Sequence, residues 1–245
     1  MDKKYSREEF VFLAKLYERA ERYPEMISWI TKFVELNPVL SSDERNILSA
    51  GFKNIIGSKR TSWRLIETLE KKEEKKTDKA NLTSVREVKT KVENEMRKIC
   101  DDVQSLLDKH LVPAAKDPET KVFFLKLKAD YYRYRAEFST GKENEDNCNL
   151  AEKTYRTAFE IAEKEIPISN STRLGLALNF SVFYYEIKNL REEACQIAKN
   201  SFEEAIKILD DLERSKAKDT ILIIQLLKEN LILWNNEMNE EEGDN

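Results

Sequence analysis

The sequence predicts an all-α protein, and three observations carry that prediction. Five glycines and five prolines among 245 residues are too few for the turns that a β-rich chain of this length needs. Charged residues make up 36% and hydrophobic residues 40%, a mixture typical of amphipathic helices. Apolar residues recur every three or four positions through long segments, and the reading yields nine helices and no strand.

Ser6 with Glu9 forms a capping box, so a first helix runs from Ser6 to Ala20. Pro24 suits the first turn of a second helix, which ends before Asn37-Pro38. Ser41 with Glu44 forms another capping box. The third helix begins near Ser42 and continues past Trp63 to the charge run Glu70 to Lys79. Leu82, Val85, Val88, Val92, Met96, Ile99, Val103, Leu106 and Leu107 define a long fourth helix, closed by Pro113. A fifth follows Pro118, from Glu119 to Phe138, and ends near Gly141; a sixth reaches Glu165 and stops before Pro167. The rest reads as helices at Ser171–Ile187, Arg191–Leu212 and Ala217–Trp234. Residues 1–234 are expected to form one helical domain, followed by a disordered acidic tail from Asn235 to Asn245. Ala151, Tyr155, Ala158 and Ile161 are echoed by Ala198, Phe202, Ala205 and Ile208, but the 34-residue period of tetratricopeptide arrays is missing.

Several function classes are disfavoured. A net charge of −4 argues against nucleic-acid binding. The stretch Ile221 to Leu227 is interrupted by Gln225 and is too short to span a bilayer, and MDKKYSREEF has no signal-peptide core, so a cytoplasmic protein off the membrane is expected. Cys100, Cys148 and Cys195 form neither a CxxC nor an even set, which points to inert thiols. The single histidine, His110, has no nucleophile signature beside it, and no phosphate loop, GxGxxG or HExxH occurs. No catalytic residue, metal ligand or cofactor is expected.

Basic residues at helical spacing stand out. Lys53 and Arg60 are seven apart, two turns, hence on one face about 10 Å apart. Lys126 and Arg133 repeat the spacing, the second within Tyr131-Tyr132-Arg133-Tyr134. They are either solvated charges with snorkelling stems or parts of a convergent cationic pocket. Arginine forks and a tyrosine hydroxyl suit the three oxygens of a phosphate monoester. Asn179 and Asn230 interrupt apolar helices. Each is either a core asparagine bonded to a neighbouring helix or a clamp for the backbone of a guest peptide, since a carboxamide both donates and accepts. Leu178, Val182, Ile223, Leu226 and Leu233 are then either an apolar wall beside that clamp or plain core.

Residues 45–63, RNILSAGFKNIIGSKRTSW, closely resemble the first signature of the 14-3-3 proteins, and residues 218–234, from Lys218-Asp219-Thr220 to Trp234, resemble the second. Tyr131-Tyr132-Arg133-Tyr134 and residues 173–186, RLGLALNFSVFYYE, are also similar to motifs of that family, so the resemblance covers Ser6 to Trp234. It implies a nine-helix fold, dimeric through its N-terminal helices, with a concave groove that binds phosphoserine or phosphothreonine peptides in extended form. By position, Lys53, Arg60, Arg133 and Tyr134 would hold the phosphate. Asn179 and Asn230 would hold the peptide backbone, and Lys126, Leu178, Val182, Glu186, Ile223, Leu226, Leu233 and Trp234 would line the groove. Across the dimer, Arg22 would pair with Glu95 and Glu25 with Lys91, with Leu13, Leu16 and Val88 supplying apolar contact and Ser62 nearby. The implied function is an adaptor that regulates phosphorylated client proteins in signalling, as a homodimer or a heterodimer with related subunits. A tetratricopeptide-like scaffold for unphosphorylated peptides is the alternative. The sequence departs from the family pattern at Phe52, Ser58, Lys59, Val88 and Ala129, in a longer loop at Lys71–Lys79, and in Asn189-Leu190-Arg191, where a regulatory serine-proline is usual.

Overall fold

A computed structural model describes residues 5–77, 80–208 and 217–243. The described residues contain nine helices and no strand. They divide into two compact units, residues 1–114 and 115–245, where the sequence reading took 1–234 as one domain.

The N-terminal unit holds α1 (Arg7–Arg19), α2 (Tyr23–Leu36), α3 (Ser42–Glu74) and α4 (Leu82–Leu106). Both expected capping boxes form. Ser6 and Ser41 accept the N–H of Glu9 and Glu44, whose carboxylates take the cap N–H in return. A side-chain cap of this kind contributes about 1 kcal/mol. Glu44 does more, because its buried carboxylate also accepts Arg7 Nε at 2.8 Å and so ties α1 to the start of α3. Burial pushes the Glu44 carboxyl up, but the bonds from Arg7 and Ser41 outweigh it and hold it below the usual range. The core is built from Met26, Ile30, Phe33 and Val34 of α2, Leu48, Phe52 and Ile56 of α3, and Met96, Cys100 and Val103 of α4. After Leu106 the fourth helix passes through a π turn, Leu107–Leu111, and ends in the turn Val112–Ala114. Both Leu107 and Leu111 are fully buried, so the extra residue keeps two large apolar side chains on the core side.

The C-terminal unit holds α5 (Pro118–Phe138), α6 (Gly141–Glu165), α7 (Ser171–Phe183), α8 (Arg191–Lys207) and α9 (Ala217–Gly243). Asp117 caps α5 by accepting the Thr120 N–H, and Asn170 caps α7. Central α7 packs against α5, α6, α8 and α9. Ala151, Ala158 and Ala162 of α6 and Ala194, Ala198 and Ala205 of α8 are fully buried. The sequence echo between these helices therefore reflects two small-residue faces, each on a helix packed against α7, rather than a repeat. A second π turn, Tyr184–Lys188, follows α7 and is closed by Asn189 at φ 54°, ψ 32°, a left-handed position that asparagine tolerates.

One expected boundary moves. α9 does not stop at Trp234 but continues to Gly243. Its anchor is the Tyr185 hydroxyl, which donates to Glu237 Oε2 at 2.5 Å. The expected end of the eighth helix at Leu212 lies outside the described residues, as do Asp78, Lys79, Asp244 and Asn245.

Candidate functional site

In the C-terminal unit, three of the expected site residues converge on a residue that the sequence reading did not single out. Asp130, on α5, is 4% exposed. Its carboxylate accepts the Asn179 amide at 2.8 and 2.9 Å, the Tyr155 hydroxyl at 2.5 Å and Lys126 Nζ at 3.2 Å, and lies 3.4 Å from Arg133 Nη2. Lys126 and Arg133 stand four residues before and three after Asp130, so one helix face brings both cations to it. The one available signal was that spacing. Asn179 arrives from α7, 49 residues away in sequence.

The electrostatics follow from burial. Desolvation pushes the Asp130 carboxyl up, but Lys126, Arg133, Tyr155 and Asn179 together outweigh it, so it stays ionised below its ordinary value. Arg133 is 6% exposed. Burial alone would lower its pKa, yet Tyr155, Tyr134 and Asp130 more than offset that and the guanidinium stays charged. Its ion contacts to Asp130, 3.4 Å, and to Glu137, 3.9 Å, are longer than the 2.7–2.9 Å of a tight charge-assisted bond. The fork thus has capacity for a closer anion. The guanidinium also lies 4.6 Å from the centre of the half-buried Tyr134 ring.

Asn179 is half-buried, and its amide NH2 is committed to Asp130. A flipped amide would set its oxygen against a carboxylate, so the orientation is compelled. What remains for a guest is chiefly the amide oxygen, an acceptor for a backbone N–H. Leu178 and Val182 sit beside it on α7, both half-buried. Gly175, one turn earlier, is approached by α5 and α9 together: a Cβ there would lie 3.6 Å from Lys126 Cε and 3.8 Å from Ile223 Cδ1. On α9, Ile223 and Asn230 are half-buried, while Leu226 and Leu233 are 39% and 53% exposed. Glu186 is exposed in the π turn. Trp234 differs from the expected lining role. It is 4% exposed and stacks on Tyr185 at 4.5 Å with 10° between the planes, a core contact.

In the N-terminal unit, Lys53 is exposed and Arg60 half-buried, two turns apart on α3. The expected dimer residues already have partners within the chain. Arg22 donates through Nε to Glu25 at 2.7 Å, and Lys59 meets Glu95 at 2.5 Å. These bonds hold Glu25 and Glu95 below the ordinary carboxylate range. Lys91 is exposed, and Val88 is 51% exposed. Half-buried Ser62 donates to the Ser58 carbonyl at 3.1 Å. Leu16 and Phe12 are exposed on α1.

His110 is half-buried in the first π turn, on a cleft of about 560 Å³ that it shares with Ile27, Phe52, Asp102 and Lys109. Burial raises the Cys148 and Cys195 thiols, away from reactive thiolates. Among the described residues, no group of three His, Cys, Asp or Glu side chains is placed to hold a metal ion, and no helix is long and apolar enough to cross a membrane.

Comparison with known sequences gives a concordant result. The profile of the family described as 14-3-3 protein matches residues 13–235. The 14-3-3-like protein GF14-E of Oryza sativa subsp. japonica is 49% identical over 238 residues, covering 96% of this chain and 91% of the rice protein. The 14-3-3-like protein GF14 iota of Arabidopsis thaliana is 47% identical, covering 97% of this chain and 89% of its own length. The 14-3-3-like protein B of Hordeum vulgare is 48% identical, covering 96% and 91%. With its all-helical architecture and a match that runs nearly end to end, this chain belongs to the 14-3-3 family.

Proposed function

We propose that the chain is a phosphoserine- and phosphothreonine-peptide-binding adaptor that regulates client proteins in signalling and performs no catalysis of its own. Family membership carries the adaptor role, and nothing observed favours the tetratricopeptide-like alternative. The observation that supports the phosphate chemistry is Arg133, a buried, charged fork whose ion contacts to Asp130 and Glu137 are long, 3.4 and 3.9 Å. Such a group gains most from an anion that brings several oxygens within 3 Å.

In this reading, Lys53 and Arg60 join Arg133 and Tyr134 on the phosphate. Asn179 accepts one backbone N–H of the guest, and Asn230 supplies a second amide. Lys126, Leu178, Val182, Glu186, Ile223, Leu226, Leu233 and Trp234 frame the peptide, with Trp234 acting as support for α9 rather than as a contact surface. The protein works in the cytoplasm as a homodimer or a heterodimer with related subunits, without nucleic acid, membrane or cofactor. Dimerisation uses Leu13, Leu16 and Val88, with Arg22, Glu25 and Glu95 exchanging their in-chain ion partners for partners across the interface and Lys91 pairing with Glu25 there. Titration calorimetry with a phosphorylated peptide and its unphosphorylated twin tests the reading. Tight binding of the first alone is expected, and equal binding of both would overturn it.

A further inference from the structure

Tyr155 has no part in the roles above, yet it stands where the residues that have them meet. It lies on α6 and is fully buried. Its ring stacks on Phe180 at 5.3 Å and leans on Phe183 at 5.5 Å. Its hydroxyl donates to Asp130 Oδ1 at 2.5 Å and accepts Arg133 Nε at 3.2 Å. Packing alone does not account for that oxygen, because a phenylalanine would fill the same space with no polar atom to satisfy. The hydroxyl has one proton, and it is directed at Asp130, so a lone pair faces Arg133. An arginine Nε–H points along one line in the guanidinium plane. Together with the 3.4 Å contact of Nη2 to Asp130, fixing it fixes the plane, and with it the directions of the Nη donors. On its other side, the Asp130 carboxylate holds the Asn179 amide.

We propose that the Tyr155 hydroxyl is a positioning group for peptide binding, setting the plane of the Arg133 fork and, through Asp130, the rotamer of the Asn179 amide. The phosphate contact and one backbone contact of the guest are then held in register by one buried network. This inference rests on the phosphopeptide reading above and adds to it a residue that touches no guest atom.

The test is a double-mutant cycle between Tyr155→Phe and Arg133→Lys, which has no Nε, read by calorimetric titration with a phosphorylated peptide and its unphosphorylated twin. Tyr155→Phe in the otherwise wild-type chain is expected to weaken phosphopeptide binding about ten-fold, the effect of a lost hydrogen bond to a charged group. In the Arg133→Lys background the same change should cost less, about two- to three-fold, because only the route through Asp130 to the Asn179 amide remains. Two results overturn the inference while leaving the phosphopeptide reading intact: phosphopeptide affinity unchanged in Tyr155→Phe, or an equal loss in both backgrounds, which would mark a general packing effect. A wild-type protein that binds both peptides alike would remove the parent reading and this inference with it. If Tyr155→Phe does not fold, hydrogen exchange of the Arg133 Nε–H in wild-type protein decides: slow exchange is expected, and exchange at the rate of a solvated arginine overturns the assignment.

Discussion

Replacing Asn179 tests the network from its amide side, and the structure sets the size of the effect. The amide NH2 is shared between both oxygens of Asp130 at 2.8 and 2.9 Å. Asn179→Ala removes that donor from a carboxylate that is 4% exposed. A hydrogen bond to a charged group is worth about 1.5–3 kcal/mol. Tyr155 and Lys126 still hold the carboxylate, and Asn179 is only half-buried, so water can replace part of the loss. The expected cost is therefore about 1–2 kcal/mol, or roughly 2–8 °C in melting temperature for a chain of this length. Because the Asp130 carboxyl is depressed, its contribution is fully present above about pH 4 and is lost as pH falls through the folded-state value. The difference in melting temperature between wild type and variant should thus be full at pH 7 and shrink below about pH 4. Loss of the amide oxygen should also weaken phosphopeptide binding by about two- to ten-fold, the value of one neutral hydrogen bond. Asn179→Asp gives the opposite pH signature. Two carboxylates at that separation repel by as much as about 6 kcal/mol at an effective dielectric near 20, so one takes up a proton and the variant regains stability as pH falls. Scanning calorimetry between pH 3 and 8 is the assay. An Asn179→Ala protein that melts with wild type at pH 7 would refute the dependence of Asp130 on the amide, and unchanged affinity would refute the clamp.

Three further outcomes are expected. Lys53→Glu should lower phosphopeptide affinity at least about ten-fold with an unchanged melting temperature, since the side chain is exposed; calorimetric titration checks it, and wild-type affinity would remove Lys53 from the pocket. The wild-type protein should sediment as a dimer at micromolar concentration, and Ser62→Glu should shift it toward monomer, because the new carboxylate, one turn from Lys59, adds negative charge to a face that already carries Glu95; an unshifted sedimentation profile counts against the switch. Glu21 is held at φ 55°, a region that disfavours residues with a Cβ, so Glu21→Gly should raise stability by up to about 1 kcal/mol, and a lowered melting temperature would contradict that account.

What could be read from the sequence was local or periodic. Ser6-Glu9 and Ser41-Glu44 are contained within one turn of chain, and both capping boxes form as read. The apolar period from Leu82 to Leu107 needs no knowledge of its partners, and α4 follows it. What escaped was set by distant contacts. Past Trp234, α9 carries Glu237, which meets Tyr185, 52 residues earlier, and a run of Asn and Glu carries no sign of that contact. Trp234 is buried against a stacking partner, Tyr185, that is likewise distant in sequence. Neither π turn was expected, because each inserts one residue without breaking the apolar pattern around it. Asp130 lay in plain view beside Arg133, but its role appears only when α6 and α7 bring Tyr155 and Asn179 to it. The sequence leaves Asn179 open between core and clamp, and the structure shows its amide nitrogen facing the buried Asp130 carboxylate.

The stack at the end of α7 has an optical consequence. Three tryptophans occur in the chain, and Trp29 and Trp63 both belong to the N-terminal unit, so Trp234 is the single indole of the C-terminal one. It is nearly enclosed, lies parallel to the Tyr185 ring, and that ring carries the Arg191 guanidinium at 5.4 Å on it. An indole in such a setting emits at shorter wavelength than one in water, and its contact with a parallel phenol lends it a near-ultraviolet dichroic band. With Trp29 and Trp63 replaced by phenylalanine, emission would follow the docking of α9 alone. The unfolding of one half of the molecule could then be followed by colour while the other half stays dark.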